Sequence, residues 1–494
     1  MNDTNDNKGH ASMSINALTL SIILDVDSYK FSHYKQYPKG TTKMYSYLES
    51  RGGKYNKTVM FGLQYYLKKF LTKPITMDDV EEAKEISELH GVPFNYEGWK
   101  RIATVLGGKL PVRIKAVPEG MIIPVKNILM SIESTDDETF WVASWLETIM
   151  LRIWYTITVA THSYNAKKLI KKYLDKSADN TDAEIGFKLH DFGGRGVTCQ
   201  EQAMLGGAAH LVNFMGTDTV AGLMMARWYY GEKMAGFSIP ASEHSTMTMW
   251  GRENEVEAMR NMIKSYGEGF IFACVPDQYD FFNACENIWG GALREDILNM
   301  KATLVVRPDS GDPVECIVRG LQIFEQKFGV TINTKGYKVL NKIRMIQGDG
   351  INEQDIERIL EAVLAAGFSA SNVGFGMGGG LLTKGLDRDT QKFAFKCSWA
   401  VVNGEEIKVF KDPITDPGKK SKKGKLALRV TKNQLTGKND VRTLPEDDVN
   451  PNDNLLITVF ENGVLLKECT FVEVRKNTES EFNQHAGWVD RDVY

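Results

Sequence analysis

From about residue 185 the chain repeats one pattern: a short β-rich run ending in Gly, Asp or Arg, then a helical stretch. "FKLHDFGGRG" precedes "TCQEQAMLGGAAHLVNF", and "TLVVRPDSGDP" precedes "VECIVRGLQIFEQKFG". "IRMIQGDG" precedes "NEQDIERILEAVLAAG", and "NVGFGMGGG" follows. Strands alternating with helices imply βα units and a parallel sheet. Several consecutive units with polar strand ends favour a β/α barrel over an open sheet, with chemistry at the strand C-termini. The barrel unit is expected over residues 185–394.

The flanks have another texture. "VMFGLQYYLKKFL" has helical spacing, and "DDVEEAKEISELHG" opens with acids and closes on Gly91, as a capped helix does. "LPVRIKAVPEGMIIPVKNILMSIE" alternates and is broken by Pro and Gly, which reads as antiparallel strands. After residue 395, "NLLITVFENGVLLKECTF" reads as a hairpin with Asn462–Gly463 at its turn. Residues 16–184 and 395–494 are expected to form one discontinuous α+β domain, and residues 1–15 a disordered tail. The expected fold class is α/β, a β/α barrel plus this second domain.

Several function classes are excluded early. With 43% apolar and 25% charged residues in 494, the chain is not a disordered or fibrous protein. A net charge of -3 gives no global attraction to nucleic acid or anionic membrane. Six scattered cysteines without a CxxC pair indicate neither a zinc site nor a disulfide framework, which suits a reducing cytoplasm. The apolar run Ala17–Leu24 is far short of the ~20 residues of a membrane helix and reads as a buried strand. The polar start lacks a basic n-region, so a cytoplasmic protein is expected.

The strand ends carry the candidate chemistry. Gly374–Gly380 contains a literal GxGxxG, but late in the series, where it is better suited to backbone approach to a phosphate than to a dinucleotide. Arg307 and Asp309 follow an apolar run and offer a cation for phosphate and a carboxylate for ribose or Mg²⁺. An Arg–Asp pair closing a turn would look the same. Gly348-Asp349-Gly350 repeats the design, with an Asx-type turn as its plain alternative. His190, Asp191, Phe192 and Arg195 share one strand end, where Phe192 could stack on a planar ring. Asp218 sits at another. Glu243-His244 follows "FSIPAS", and such a His can act as acid/base or accept a phosphoryl group. The lysine run with Lys411 and Lys419 reads as a solvated loop or a lid over a polyanion.

Together these segments resemble the nicotinamide phosphoribosyltransferase family. The matching stretches include "DSYKFSHYKQYP", "YSYLESR", "KLHDFGGRG", "FMGTDTVAG", "EHST", "YDFFNACENIWG", "VVRPDSGDP", "IQGDG", "GFGMGGGLL", "FAFKCSWAVVNG" and "VFKDPITDP", in family order from about residue 20 to 475. The resemblance implies a type II phosphoribosyltransferase fold and a homodimer with shared sites. It implies transfer from 5-phosphoribosyl 1-pyrophosphate to nicotinamide, giving nicotinamide mononucleotide and pyrophosphate in NAD salvage. Mg²⁺ would assist, and ATP hydrolysis would be coupled through a phosphohistidine.

Carried over by position, Phe192 and Tyr29 of the partner subunit would sandwich the pyridine ring. Asp218 would accept from the carboxamide and repel the carboxylate of nicotinate. Arg195 and Arg307 would flank base and phosphates, and Asp309 would hold ribose hydroxyls. Gly348, Asp349, Gly379 and Arg388 would surround the 5′-phosphate. Arg51, Lys396, Lys411 and Lys419 would hold pyrophosphate or nucleotide phosphates across the dimer. His244 would be phosphorylated, oriented by Glu243 or Asp277. The sequence departs from the family in a one-residue lengthening before Arg388, at Gly194, and at Ala273. Nicotinate phosphoribosyltransferase is the sister activity, opposed by Asp218. A dinucleotide-dependent dehydrogenase and a non-catalytic extracellular signalling protein are the remaining alternatives, the second disfavoured by the polar start.

Overall fold

The computed structural model describes residues 20–415, 420–432 and 439–484. The tail expected at residues 1–15, and Lys419, lie outside the described residues.

Six parallel strands form the central sheet. Their spatial order is Gly216–Thr217, Leu189–Asp191, Val373–Met377, Ile343–Gln347, Thr303–Val306 and Ile271–Cys274. The two edges are joined by the segment 237–241. Gly216 bridges Phe237, and Ala273 bridges Ala241, both in the parallel sense. Thr217 N–H donates to the Phe237 carbonyl at 3.0 Å, and Ala273 N–H to the Pro240 carbonyl at 2.8 Å. The segment therefore acts as a seventh stave and closes the barrel. It does not form a regular ladder, because Pro240 has no N–H to contribute.

Side chains alternate along the staves, as period-2 geometry demands. Phe272, Cys274, Leu304, Val306 and Met345 point outward into the main core. Ala273, Val305 and Ile346 form a separate inner cluster with Phe192, Ile239 and Ile271 against it. Two of the outer helices start on side-chain caps just after a strand ends. Asp312 accepts from Glu315 N–H at 2.8 Å to open Pro313–Phe328, and Asn352 forms a capping box with Asp355 to open Glu353–Ala365.

A second, antiparallel sheet unites the two ends of the chain. Its order is Glu405–Lys408, Phe393–Val402, Thr41–Ser50, Ile128–Ser134, Val112–Ala116, Ile457–Glu461 and Val464–Leu465. Asn462 and Gly463, at φ 48° and 78°, make the tight hairpin turn that their sequence predicts. The 24-residue helix Trp154–Ser177 packs on the barrel helix Gln200–Leu211 and on the strand Lys57–Val59.

The buried strand expected at Ala17–Leu24 is not formed over its described residues. Its described part, from residue 20, is a turn in which Leu24 and Asp25 N–H both donate to the Ser21 carbonyl. Ile22 and Ile23 are buried as expected. What curls the chain is tertiary anchoring: Trp145 Nε1 donates to the Ile22 carbonyl, and Arg152 forks onto both Asp25 oxygens at 2.6 and 2.7 Å. Among the described residues no helix is long and apolar enough to cross a membrane.

Candidate active site

A cleft of about 810 Å³ opens where the barrel strands end. Phe192, Gly194, Arg195, Asp218, Glu243, His244, Arg307 and Asp309 line it. These come from four strand ends scattered over more than a hundred residues, and the barrel alone brings them together.

Phe192 extends the strand Leu189–Asp191, and its N–H donates to the Met377 carbonyl at 3.0 Å. Its ring lies across two neighbouring strand ends. A Cβ at Gly376 would stand 1.9 Å from the ring, and one at Gly348 3.0 Å from it. The middle glycine of the GxGxxG match is therefore the seat of an aromatic ring inside a strand, and no dinucleotide fingerprint. The Arg307 guanidinium stands 5.4 Å from the centre of the same ring.

Asp191, just before Phe192, ties the neighbouring strand ends. Its carboxylate accepts from Gly193 N–H at 2.7 Å, and its carbonyl accepts from Asp218 N–H at 2.9 Å. Burial pushes this carboxyl up to about 6. Asp218 is exposed in the cleft and accepts from the Ser238 hydroxyl at 2.5 Å.

His244 opens the short helix His244–Thr248. Its Nε2 is 3.0 Å from Asp277 Oδ1, and its Nδ1 is 3.8 Å from Asp309 Oδ2. Asp277 is buried and also accepts from Asp309 N–H at 3.1 Å and the Ser310 hydroxyl at 2.6 Å. Of the two acids that the sequence offers to His244, Asp277 makes the bond. Glu243 turns away, caps the helix and accepts from the Ser245 hydroxyl. Arg307 Nη2 donates to Asp309 Oδ1 at 2.6 Å, while its buried Nε has no partner among the described residues. An Arg–Asp pair and a site residue are here the same thing.

The glycine loops lie behind Phe192. Buried Gln347 accepts from the N–H groups of Gly348 and Asp349, at 2.8 and 3.2 Å, which folds that loop over the strand end. Gly379 opens a single helical turn, and a Cβ at Gly380 would be 2.7 Å from the Ile351 carbonyl, so the two loops touch. Ala273 lies deeper, in the inner cluster.

Other expected residues gather away from this cleft. Burial lowers Lys396 below the ordinary lysine range; Glu147 opposes the shift, and nearby Arg51, Lys411 and Arg388 add to it. Arg51 Nε pairs with Glu49 at 3.3 Å, and its buried Nη2 has no partner among the described residues. Arg388 is half-exposed beside Asp389. Tyr29, 59% exposed on the helix Ser28–Lys35, presents its ring to solvent. Sequence reading gives no role to Ser238, Ser310 or Gln347. Ser310 lies within "RPDSG" and Gln347 within "IQGDG"; Ser238, in "FSIPAS", has no signal of its own.

A parallel barrel with cations and carboxylates at the strand ends fits a type II phosphoribosyltransferase. Residues 187–463 match the nicotinate phosphoribosyltransferase (NAPRTase) family, and residues 21–114 match the nicotinamide phosphoribosyltransferase N-terminal domain. The nicotinamide phosphoribosyltransferase of Xanthomonas campestris pv. campestris is 51% identical, covering 93% of this chain and 98% of its own. That of Acinetobacter baylyi is 34% identical, covering 91% and 95%. Nicotinate-nucleotide pyrophosphorylase from Pyrococcus furiosus and human nicotinic acid phosphoribosyltransferase share the fold, both at TM-score 0.57, with 16% and 15% identity over at least 93% of each chain. The chain belongs to the nicotinamide phosphoribosyltransferase family, a family of pentosyltransferases.

Proposed function

We propose that the protein transfers the 5-phosphoribosyl group from 5-phosphoribosyl 1-pyrophosphate to nicotinamide, with ATP hydrolysis coupled through His244. The observation that carries the base assignment is Asp218, exposed in the cleft that Phe192 and Arg307 also line. A carboxylate there accepts from a carboxamide N–H₂ and repels the carboxylate of nicotinate. Phe192 stacks on the pyridine ring and orients it.

In the transfer, the C1–oxygen bond to pyrophosphate breaks and the pyridine nitrogen lone pair forms the new bond to C1. The nitrogen is already a nucleophile and needs no base. Positive charge builds on the ribose and negative charge on the leaving group, so Asp309 faces the former and Arg195 and Arg307 the latter. Gly348, Asp349, Gly379 and Arg388 hold the 5′-phosphate. No cluster of three His, Cys, Asp or Glu among the described residues could hold a metal ion. This donor set fits Mg²⁺ held largely by diphosphate oxygens and water, with Asp309 or Asp349 as protein ligand. When bound, the ion neutralises charge on the departing pyrophosphate.

For the coupled step, Asp277 accepts a hydrogen bond from His244 Nε2–H and leaves Nδ1 with a free lone pair. Nδ1 attacks the γ-phosphorus of ATP, the bond to the ADP oxygen breaks, and water later releases phosphate from the phosphohistidine. A homodimer completes the site: Tyr29, Arg51, Lys396, Lys411 and Lys419 of one protomer serve the other. The position of Arg51, Lys396 and Lys411 apart from the cleft supports this, as does an exposed Tyr29 with no place in its own cleft. In the same reading the barrel, residues 185–394, is one domain, and the two flanks form the other.

The test is product formation by purified protein given nicotinamide, 5-phosphoribosyl 1-pyrophosphate and Mg²⁺, with and without ATP. Nicotinamide mononucleotide, formed faster with ATP, is expected. Absence of that product overturns the reading.

A further inference from the structure

Behind the glycine loops lies a part-buried polar junction that the proposed chemistry does not use. Tyr55 Oη is 2.5 Å from His162 Nδ1 and 2.9 and 3.0 Å from the two oxygens of Glu353. Lys54 Nζ closes the group at 2.8 Å from Glu353 Oε2. His162 is only 3% exposed, and its Nε2, without a partner among the described residues, lies beside the Gly380 backbone. One proton arrangement satisfies the short contacts: His162 Nδ1–H donates to Tyr55 Oη, and the Tyr55 hydroxyl donates to Glu353. A group this interlinked, buried at its His162 end, is costly to leave half-satisfied, so it holds one geometry.

Five segments meet there, and four of them lead directly to an expected phosphate or ribose contact. Glu353 begins the helix that follows Asp349. Gly380 follows Gly379. Tyr55 lies four residues after Arg51. Its backbone is clamped by buried Gln391, which accepts from Tyr55 N–H at 2.7 Å and donates to the Tyr55 carbonyl at 3.1 Å, three residues past Arg388. Gly53 sits so close to this partner that a Cβ would be 2.1 Å from the Thr390 carbonyl. His162 itself is on the long helix Trp154–Ser177, the fixed body against which the other four are set.

We propose that Tyr55 and His162 are positioning residues for the phosphoribosyl end of the site, setting Asp349, Gly379 and Arg388 relative to one another. Neither touches substrate. The inference rests on the phosphoribosyl reading of the glycine loops given above. A displacement of about 1 Å at such contacts is enough to cost an order of magnitude or more.

The test uses the full chain with Tyr55→Phe, which removes only the hydroxyl, His162→Asn, and the double variant. The two substrates are varied separately. KM for 5-phosphoribosyl 1-pyrophosphate should rise about tenfold in each variant, with kcat and the nicotinamide KM within about twofold. The double variant should be no worse than the weaker single one, because both break the same junction. Thermal unfolding of Tyr55→Phe should stay within a few degrees of wild type. An unchanged phosphoribosyl-donor KM in Tyr55→Phe overturns the inference, and so do equal rises in both KM values, the signature of a merely structural role. An inactive wild-type protein overturns the proposed function as well; an active wild type with unaffected variants overturns only this step.

Discussion

His244 Nε2 lies 3.0 Å from Asp277 Oδ1, and Asp277 is buried and bonded at the same time to the loop that carries Asp309. One carboxylate thus fixes the imidazole and its neighbouring acid together. If His244 takes a phosphoryl group on Nδ1, Asp277→Asn should lower ATP hydrolysis by roughly 100-fold, since the ring loses the acceptor that holds its reactive tautomer. Transfer measured without ATP should change by less than about threefold. Phosphate release and mononucleotide formation, followed on the same samples, check this. Retained ATP hydrolysis in Asp277→Asn would remove Asp277 from the coupled step.

Gly376 is the seat of the Phe192 ring, since a Cβ at this position would stand 1.9 Å from a ring carbon. Gly376→Ala must therefore push Phe192 off its place. The nicotinamide KM should rise at least about tenfold, while binding of pyrophosphate, which does not meet this ring, should move less than about threefold. Titration calorimetry with each ligand separates the two.

Asp191 gives a pH signature of stability. Burial raises it from 3.8 to about 6, so the ionised form is disfavoured in the fold relative to the unfolded chain. Stability is therefore lost as the pH rises from about 4 to about 6 and stays lost above, by about 3 kcal/mol for a gap of about two units. Asp191→Asn keeps an acceptor for Gly193 N–H and removes the charge. Its thermal midpoint at about pH 7.5 should exceed wild type by about 4 °C, and the difference should close below about pH 4. Unfolding scans across that range would contradict this if the difference were constant with pH.

Shared sites predict complementation. Asp218→Ala disables the cleft, and Lys396→Ala the cation cluster that does not line it. Each variant alone should be nearly inactive. Mixed and allowed to exchange subunits, they should recover about a quarter of wild-type activity, since half the dimers are mixed and each holds one intact site. No recovery after verified exchange would place both groups in one protomer's site.

Much of the architecture was legible. The barrel units announce themselves because strands stop at polar residues and helices follow, two of them starting at caps, Asp312 and Asn352. The hairpin at Asn462–Gly463 is fixed by local turn chemistry. The apolar run before Asp25 misled, because buried isoleucines look the same in a strand and in a packed turn; only the distant Trp145 and Arg152 decide between them. The partner of His244 was open between Glu243 and Asp277 for a similar reason. Asp277 is 33 positions away, and the barrel closes that distance. Ser238 carries no sequence signal at all: its hydroxyl reaches Asp218 because the segment 237–241 closes the ring beside it.

The central claim is that Asp218 selects the base. The most direct measurement is kcat/KM for nicotinamide and for nicotinate, each with 5-phosphoribosyl 1-pyrophosphate, in wild type and in Asp218→Asn. The account predicts a wild-type preference for nicotinamide of at least about 100-fold, falling below about tenfold when the charge is removed. A wild-type preference for nicotinate, or a nicotinamide preference that Asp218→Asn leaves intact, would contradict it.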